Sequence, residues 1–145
     1  MEIAKKIVDK MMNGDAFSQW LGIDVLEVSE DFCKLKMTVR DEMTNGFDIA
    51  HGGITYSLAD SCLAFAANSY GIQALTLETS INYSKVAESG DILTAISKKI
   101  FTKEKHFKSG KLAKYDIVIT NQNSEEIAHF TGTVYRNGKE WFPKD

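Results

Sequence analysis

Between Ile49 and Leu77 the only Asp, Glu, Lys or Arg side chain is Asp60, in IAHGGITYSLADSCLAFAANSYGIQALTL. A helix formed from so weakly charged a stretch is apolar on nearly every face and has to be covered on most sides. The spacing predicts that helix over Ile54 to about Ser69, ended by Tyr70-Gly71. What surrounds it in sequence is strand-like, so the helix is expected to be wrapped by a sheet.

Residues 32–40, FCKLKMTVR, place Cys33, Leu35, Met37 and Val39 on one face and Lys34, Lys36, Thr38 and Arg40 on the other. That alternation is the mark of a half-buried strand. Over 75–83, Leu75, Leu77, Thr79, Ile81 and Tyr83 oppose Thr76, Glu78, Ser80 and Asn82 in the same way. Further strands are expected over 23–28, about 92–104, 112–120 and 126–136. Turns at Ser89-Gly90, Ser109-Gly110 and 121–124 separate them, and Asn137-Gly138 is expected to end the last. Ahead of the sheet, Ile3, Ile7, Val8, Met11 and Met12 recur at helical spacing up to Asn13-Gly14. Asp15 is placed to cap a second short helix carrying Phe17, Trp20 and Leu21 and stopping at Gly22. The reading is one α+β domain over 1–145: a helical lead-in over 1–21, a core over 22–137 and a tail over 138–145.

With 145 residues, 43% of them hydrophobic and a single proline, the chain is long enough for a sizeable core and is neither disordered nor a disulfide scaffold. A net charge of -3 gives no basis for a nucleic-acid or anionic-membrane partner. Cys33 and Cys62 sit in apolar patterns without metal-ligand spacing to the histidines. A reduced, cytoplasmic chain without a bound metal is expected. The lead-in interleaves charge with apolar residues, unlike a signal peptide, and no charge-free span suits a membrane helix.

His51-Gly52-Gly53 opens the central helix. Unpaired N–H groups and the positive end of the helix dipole can there hold a carbonyl oxygen as negative charge grows on it. The plainer reading is a tight loop-to-helix entry. Asp60 is costly to bury unless it is paired or used; it is either catalytic or bonded to Ser57 or Ser61. It lies eight residues beyond Gly52, roughly 12 Å along a helix at about 1.5 Å per residue. Asp60 therefore cannot easily serve a carbonyl held at its own helix head. An antiparallel partner helix would bring its own Asp60 there, so a site using both residues is shared across a two-fold dimer. Ser57, Asp60, Ser61, Ala64 and Asn68 form a stripe that faces a partner or a ligand. His51 is placed to orient the loop or touch substrate, whereas His106 and His129, in strand patterns without partners, are structural or solvated. No G-x-S-x-G, Walker or dinucleotide motif is present. Lys98, Lys99, Lys103, Lys105, Lys108, Lys111 and Lys114 make 98–114 the most basic stretch. It is either a solvated edge or a dock for phosphates.

Asn45-Gly46, His51-Gly52-Gly53 and Ser57-Leu58-Ala59-Asp60, followed by SCLAFAANSYG, resemble the hotdog-fold thioesterases of the phenylacetate-degradation (PaaI-type) family. LGIDVLEV and YDIVITNQNSEEIAHFTG are similar too, so the likeness runs from about Leu21 to Arg136. The resemblance implies a hotdog fold: a long central helix wrapped by an antiparallel sheet, here with an N-terminal helical lead-in. It implies a homodimer with a continuous sheet and shared sites, usually paired into a homotetramer. It implies hydrolysis of acyl-coenzyme A, often with aryl-acetyl groups, and no cofactor beyond the coenzyme A of the substrate. The family's catalytic acid matches Asp60, its carbonyl-polarising glycine Gly52 and its loop asparagine Asn45; His51 completes the expected catalytic set. Gly53, Thr76 and Lys85 are the expected substrate-binding residues, Thr76 near a water-holding hydroxyl position of related thioesterases. Val86 stands where a proline often follows the strand, and Glu78, expected to point the same way as Thr76, is an unusual charge. Two rivals remain: a non-catalytic acyl-CoA-binding module and a hotdog dehydratase or hydratase.

Overall fold

The computed structural model describes residues 2–100 and 111–143. In chain order these form α1 (Glu2–Gly14), α2 (Ala16–Leu21), β1 (Asp24–Ser29), β2 (Phe32–Thr38), a 3-10 turn (Asp41–Met43), α3 (Gly52–Asn68), β3 (Ile72–Tyr83), β4 (Ile92–Ile100), β5 (Leu112–Thr120) and β6 (Glu126–Glu140). The six strands make one sheet in the order β1-β2-β4-β5-β6-β3, with every neighbouring pair antiparallel. Helix α3 packs on β2, β3, β4, β5 and β6, so the sheet wraps it as its apolar circumference demands. This is the hotdog arrangement.

The core lies between α3 and the inner face of the sheet. Leu58, Leu63 and Phe65 of the helix meet Leu35, Met37, Leu93, Ile117, Ile119, Phe130 and Val134 of the strands, nearly all without solvent contact. Each such side chain contributes about 1.5–3 kcal/mol on leaving water. A Cβ on Gly132 of β6 would lie 2.4 Å from Leu63 Cδ2, so the strand comes this close to the helix only because the residue is glycine. The alternation expected for 32–40 is the one observed: Cys33, Leu35, Met37 and Val39 are buried.

Strand β3 departs from its expected alternation. Thr76 pairs with Val134, but Glu78 pairs with Thr133, so Leu77 is an extra residue in a β-bulge. The bulge flips the phase of the strand. Thr76 and Thr79 both turn toward α3, while Glu78, expected to share the direction of Thr76, lies on the outer face. The end of β6 also differs. Asn137-Gly138 does not end the strand but forms a second irregularity, Ile72 pairing with Glu140 and Ala74 with Arg136. Gly138 takes φ +83°, and Asn137 Oδ1 accepts from the Lys139 N–H at 2.9 Å. The strand expected over 92–104 is described as far as Ile100. The Ser109-Gly110 turn, His106, Lys103, Lys105 and Lys108 lie outside the described residues.

The lead-in differs in which side chains it buries. Ile7 and Val8 of α1 are buried as expected, joined by Ala4, but Ile3 is exposed. In α2 it is Ser18 and Leu21 that are buried, while Phe17 and Trp20 stack on one another in solvent, with ring centroids 6.0 Å apart. Asn68 leaves the expected stripe altogether. It is buried and clamps the two ends of the fold: its Nδ2 donates to Ala64 O and Ala74 O, and its Oδ1 accepts from Ala74 N and Trp141 Nε1.

A polar cluster sits beyond the C-terminus of α3. Asp31 accepts from Tyr115 Oη, from Arg136 at 3.1 Å and from Lys99 at 2.5 Å, and the Arg136 guanidinium stacks on Tyr70 at 4.0 Å. Burial, then the Asp31 carboxylate, push the Tyr115 phenol well above its ordinary range, so it remains a donor. Lys99 is thereby committed inside the fold, not on a docking surface with Lys98.

Candidate active site

Helix α3 begins at Gly52, two residues earlier than its periodicity indicates, because His51 acts as the N-cap. His51 Nδ1 accepts from the Gly53 N–H at 2.9 Å. The ring in this arrangement carries its proton on Nε2. Gly53, expected to bind substrate, has its N–H engaged by its own chain. The Gly52 N–H, one position earlier, has no acceptor among the described residues. It is therefore the donor available at the positive end of the helix.

Two elements fix the Gly52 peptide. Tyr83 at the end of β3 donates its hydroxyl to Gly52 O at 2.8 Å. Burial, and Tyr56 beside it, raise the Tyr83 phenol above its ordinary value and keep it protonated as that donor. The loop before the helix is tied down by His51 N–H to Met43 O and Ala50 N–H to Ala87 O, both 2.8 Å. Asn45 sits in that loop with its Oδ1 accepting from the Phe47 N–H at 2.9 Å, which leaves its side-chain NH₂ as the group it can offer. Asn45, Gly52, Tyr83, Lys85, Val86 and Ile127 line a cleft of about 280 Å³ beside the helix head. A larger groove, under α1 and β1, contains none of the expected site residues.

Lys85 reaches the rim of this cleft but is ion-paired to Glu125. His129 also has a partner, contrary to expectation: its Nε2 lies 3.3 Å from Asp116 Oδ1 on the outer face.

Asp60 and Thr76 form a second group, halfway along α3. Thr76 Oγ1 donates to Asp60 Oδ1 at 3.4 Å. The expected structural partners of Asp60 are otherwise engaged: Ser57 Oγ donates to Gly53 O at 2.6 Å, and Ser61 Oγ meets Ser18 Oγ at 2.8 Å. Burial raises the proton affinity of Asp60 above the ordinary carboxylate range; the Thr76 hydrogen bond opposes this and the charge of Asp15 reinforces it. Among the described residues no cation pairs with Asp60. Nor do any three His, Cys, Asp or Glu side chains there gather to hold a metal ion. The fold thus gathers Asn45, Gly52 and Lys85 in one place and Asp60 with Thr76 in another, eight helical residues away.

The family model of the thioesterase superfamily matches residues 47–128, which contain Gly52, Lys85, Asp60 and Thr76 but begin just after Asn45. The chain belongs to that superfamily.

Among its thioesterase relatives is the acyl-coenzyme A thioesterase PaaI of Escherichia coli, 36% identical over 88% of this chain and 87% of that one. A putative esterase of Archaeoglobus fulgidus is 34% identical over 98% of this chain and 88% of its own length. The solved structure of the Escherichia coli PaaI protein superposes with a TM-score of 0.88 at 33% identity, covering 96% of each chain. A Streptococcus mutans structure bound to acetyl-CoA matches with a TM-score of 0.73 at 28% identity, covering 81% of this chain and 90% of that one. These likenesses place the chain with the PaaI-type hotdog thioesterases, as thioester hydrolases.

Three features of this candidate site are not legible in the sequence. The alternation places Tyr83 on one face of a strand with Thr79 and Ile81, and nothing in its spacing announces a bond to Gly52. Tyr56 Oη bonding to Thr79 Oγ1 at 2.5 Å depends on the bulge at Leu77. The Asp15–Ser18–Ser61 contact joins residues 43 positions apart.

Proposed function

We propose that the chain hydrolyses acyl-CoA thioesters, releasing the free acid and coenzyme A, with aryl-acetyl-CoA as the leading substrate class. The observation that carries this is Asp60: the one acid of an otherwise uncharged helix, part-buried, raised in proton affinity and without a cation among the described residues. A carboxylate so placed is a better proton acceptor than a solvated one. In this reading the Gly52 N–H and the helix dipole polarise the thioester carbonyl and hold the oxyanion. Asp60 takes a proton from a water held by Thr76, and the water oxygen bonds to the carbonyl carbon. The tetrahedral intermediate then breaks its C–S bond, and the coenzyme A thiolate leaves and recovers the proton. Asn45 and His51 position the carbonyl and the helix head. The chemistry uses side chains, a backbone amide and water alone. The acetyl-CoA bound by the Streptococcus mutans relative and the activity named for the Escherichia coli one support the substrate class.

The reading includes a homodimer in which each site takes its Gly52 cleft from one chain and its Asp60 from the other, two dimers forming a tetramer. The axial gap between Gly52 and Asp60 supports the sharing. A cytoplasmic setting is supported by the two buried free cysteines. Among the described residues no helix is long and apolar enough to cross a membrane.

A hydrolysis screen over aryl-acetyl, short, medium and long acyl-CoAs, following free thiol, tests the function. Thiol release above the uncatalysed rate is expected, highest for an aryl-acetyl group. Binding of acyl-CoA without thiol release would leave the non-catalytic module as the correct reading. In a single turnover in H₂¹⁸O, direct attack by Asp60 would expel the thiolate and form a mixed anhydride, and water attack on its Asp60 carbonyl would leave label in the protein, while the water route labels only the product acid.

A further inference from the structure

The lead-in helix α2 buries a serine where its sequence offers two large aromatics. Ser18 is 1% exposed, while Phe17 and Trp20 stay in solvent. What Ser18 meets inside is polar. Its Oγ donates to Asp15 Oδ2 at 2.6 Å, and its N–H donates to Asp15 Oδ1 at 2.9 Å as the N-cap bond of α2. On its other side the Ser18 Oγ lies 2.8 Å from the Ser61 Oγ of α3. A hydroxyl has one proton to give. Ser18 gives its proton to the carboxylate, so Ser61 donates to Ser18. The chain of bonds therefore has one direction: it starts on Ser61, the residue next to Asp60, and runs through Ser18 to Asp15.

We propose that Asp15 is a positioning residue of the active site: through Ser18 and Ser61 it clamps the lead-in to the turn of α3 that carries Asp60. The inference rests on Asp60 being the base of the reaction. Two consequences follow. The clamp fixes the rotation of the middle of α3, and hence the line from Asp60 to Thr76. The charge of Asp15 disfavours ionisation of Asp60 and strengthens it as a proton acceptor, adding to the effect of burial.

The other groups around Asp60 leave this role to Asp15. β3 contributes Thr76, which donates to Asp60; its charged residue Glu78 pairs with Thr133 on the outer face. The neighbouring positions on α3, Ser57 and Ser61, are uncharged and bonded elsewhere. From α1 the core receives Val8, and from the remaining strands Leu35, Met37, Leu93, Ile117 and Phe130, all apolar. Among the described residues Asp15 is the charged group whose field reaches Asp60.

The experiment compares Asp15→Asn, Ser61→Ala and Asp60→Asn in the full chain by kcat and kcat/KM for an acyl-CoA across pH. Asparagine still caps α2, so Asp15→Asn removes the charge and the end of the relay while keeping the helix start. Its acid limb of kcat/KM should move to lower pH, because an Asp60 relieved of Asp15 ionises more readily. Its kcat should fall about three- to thirtyfold, the scale of a slightly misplaced catalytic group. Ser61→Ala breaks the clamp and keeps the charge: kcat should fall while the acid limb stays. It also keeps the proposal testable if Asp15→Asn fails to fold. Asp9→Asn, a surface carboxylate of the same lead-in, should leave both unchanged. An inactive Asp60→Asn together with wild-type kcat and acid limb in Asp15→Asn, or wild-type kcat in Ser61→Ala, overturns the proposal and leaves the base reading intact. Near-normal turnover in folded Asp60→Asn removes the base reading itself, and the proposal with it.

Discussion

The Tyr83 hydroxyl donates to the carbonyl of Gly52 at 2.8 Å, joining the end of β3 to the first peptide of α3. That carbonyl belongs to the residue whose own N–H, one peptide earlier, is the donor proposed to hold the substrate oxygen. A strand thereby sets the position of the helix head, and a change at Tyr83 should reach the chemistry without touching the reacting atoms. Tyr83→Phe should cost about 1 kcal/mol of stability for one hydrogen bond. Its kcat should fall by about tenfold or more with KM little changed, since orientation of an oxyanion donor matters most in the transition state. Gly52→Ala should do worse, because its Cβ would lie 3.1 Å from the same hydroxyl. Steady-state kinetics with thermal melts on the two variants check this; a Tyr83→Phe enzyme with wild-type kcat sinks it.

Asp60→Asn should lose about 10²–10⁴-fold in turnover, the usual contribution of a positioned base. It should not lose stability at neutral pH. The folded state raises the proton affinity of Asp60. Between the ordinary aspartate range and the raised value, the native state therefore binds more protons than the unfolded one, and stability falls as pH rises. Above that window the ionised Asp60 is a cost to the fold, which the amide avoids. The variant should melt at or above wild type at pH 7, and its advantage should shrink as the pH falls through the carboxylate range. Melting curves across pH check the sign; a variant clearly less stable at pH 7 than at pH 4, relative to wild type, contradicts it.

Mixed dimers test whether two chains build each site. Asn45→Ala and Asp60→Asn should each be nearly inactive alone. Refolded together, they should recover activity, because some mixed dimers contain one site with both parts intact. Verified mixed dimers no more active than the parents would show that Asp60 works with groups of its own chain.

Gly132→Ala should destabilise the fold by about 1–3 kcal/mol, as overpacking does in a filled core. The added methyl meets Leu63 Cδ2 at 2.4 Å. Truncating the obstacle should relieve part of the cost, so Gly132→Ala combined with Leu63→Ala should be more stable than the sum of the single effects predicts. A double-mutant cycle by urea unfolding measures this, and strict additivity would mean that the clash is absorbed elsewhere.

Leu35, Met37 and their alternating lysines announced a half-buried strand, and the charge-poor run around Asp60 announced a wrapped helix. Both are local periodicities, set by which faces a helix or strand presents, and burial in the fold follows them directly. His51, Gly52 and Asp60 could be singled out as candidates for the same reason: a glycine pair heading a helix and an acid in an apolar run are local features, whereas Asn45 was named only through the family resemblance. The facing of Thr76 was not local. One extra residue, Leu77, reverses the phase of β3, and the bulge depends on pairing with Thr133 and Val134, more than fifty positions away. The bonds of Tyr83 to Gly52 and of Ser18 to Ser61 likewise join elements distant in sequence. Periodicity reports which face a residue takes; which partner it meets there is decided when the sheet closes over the helix.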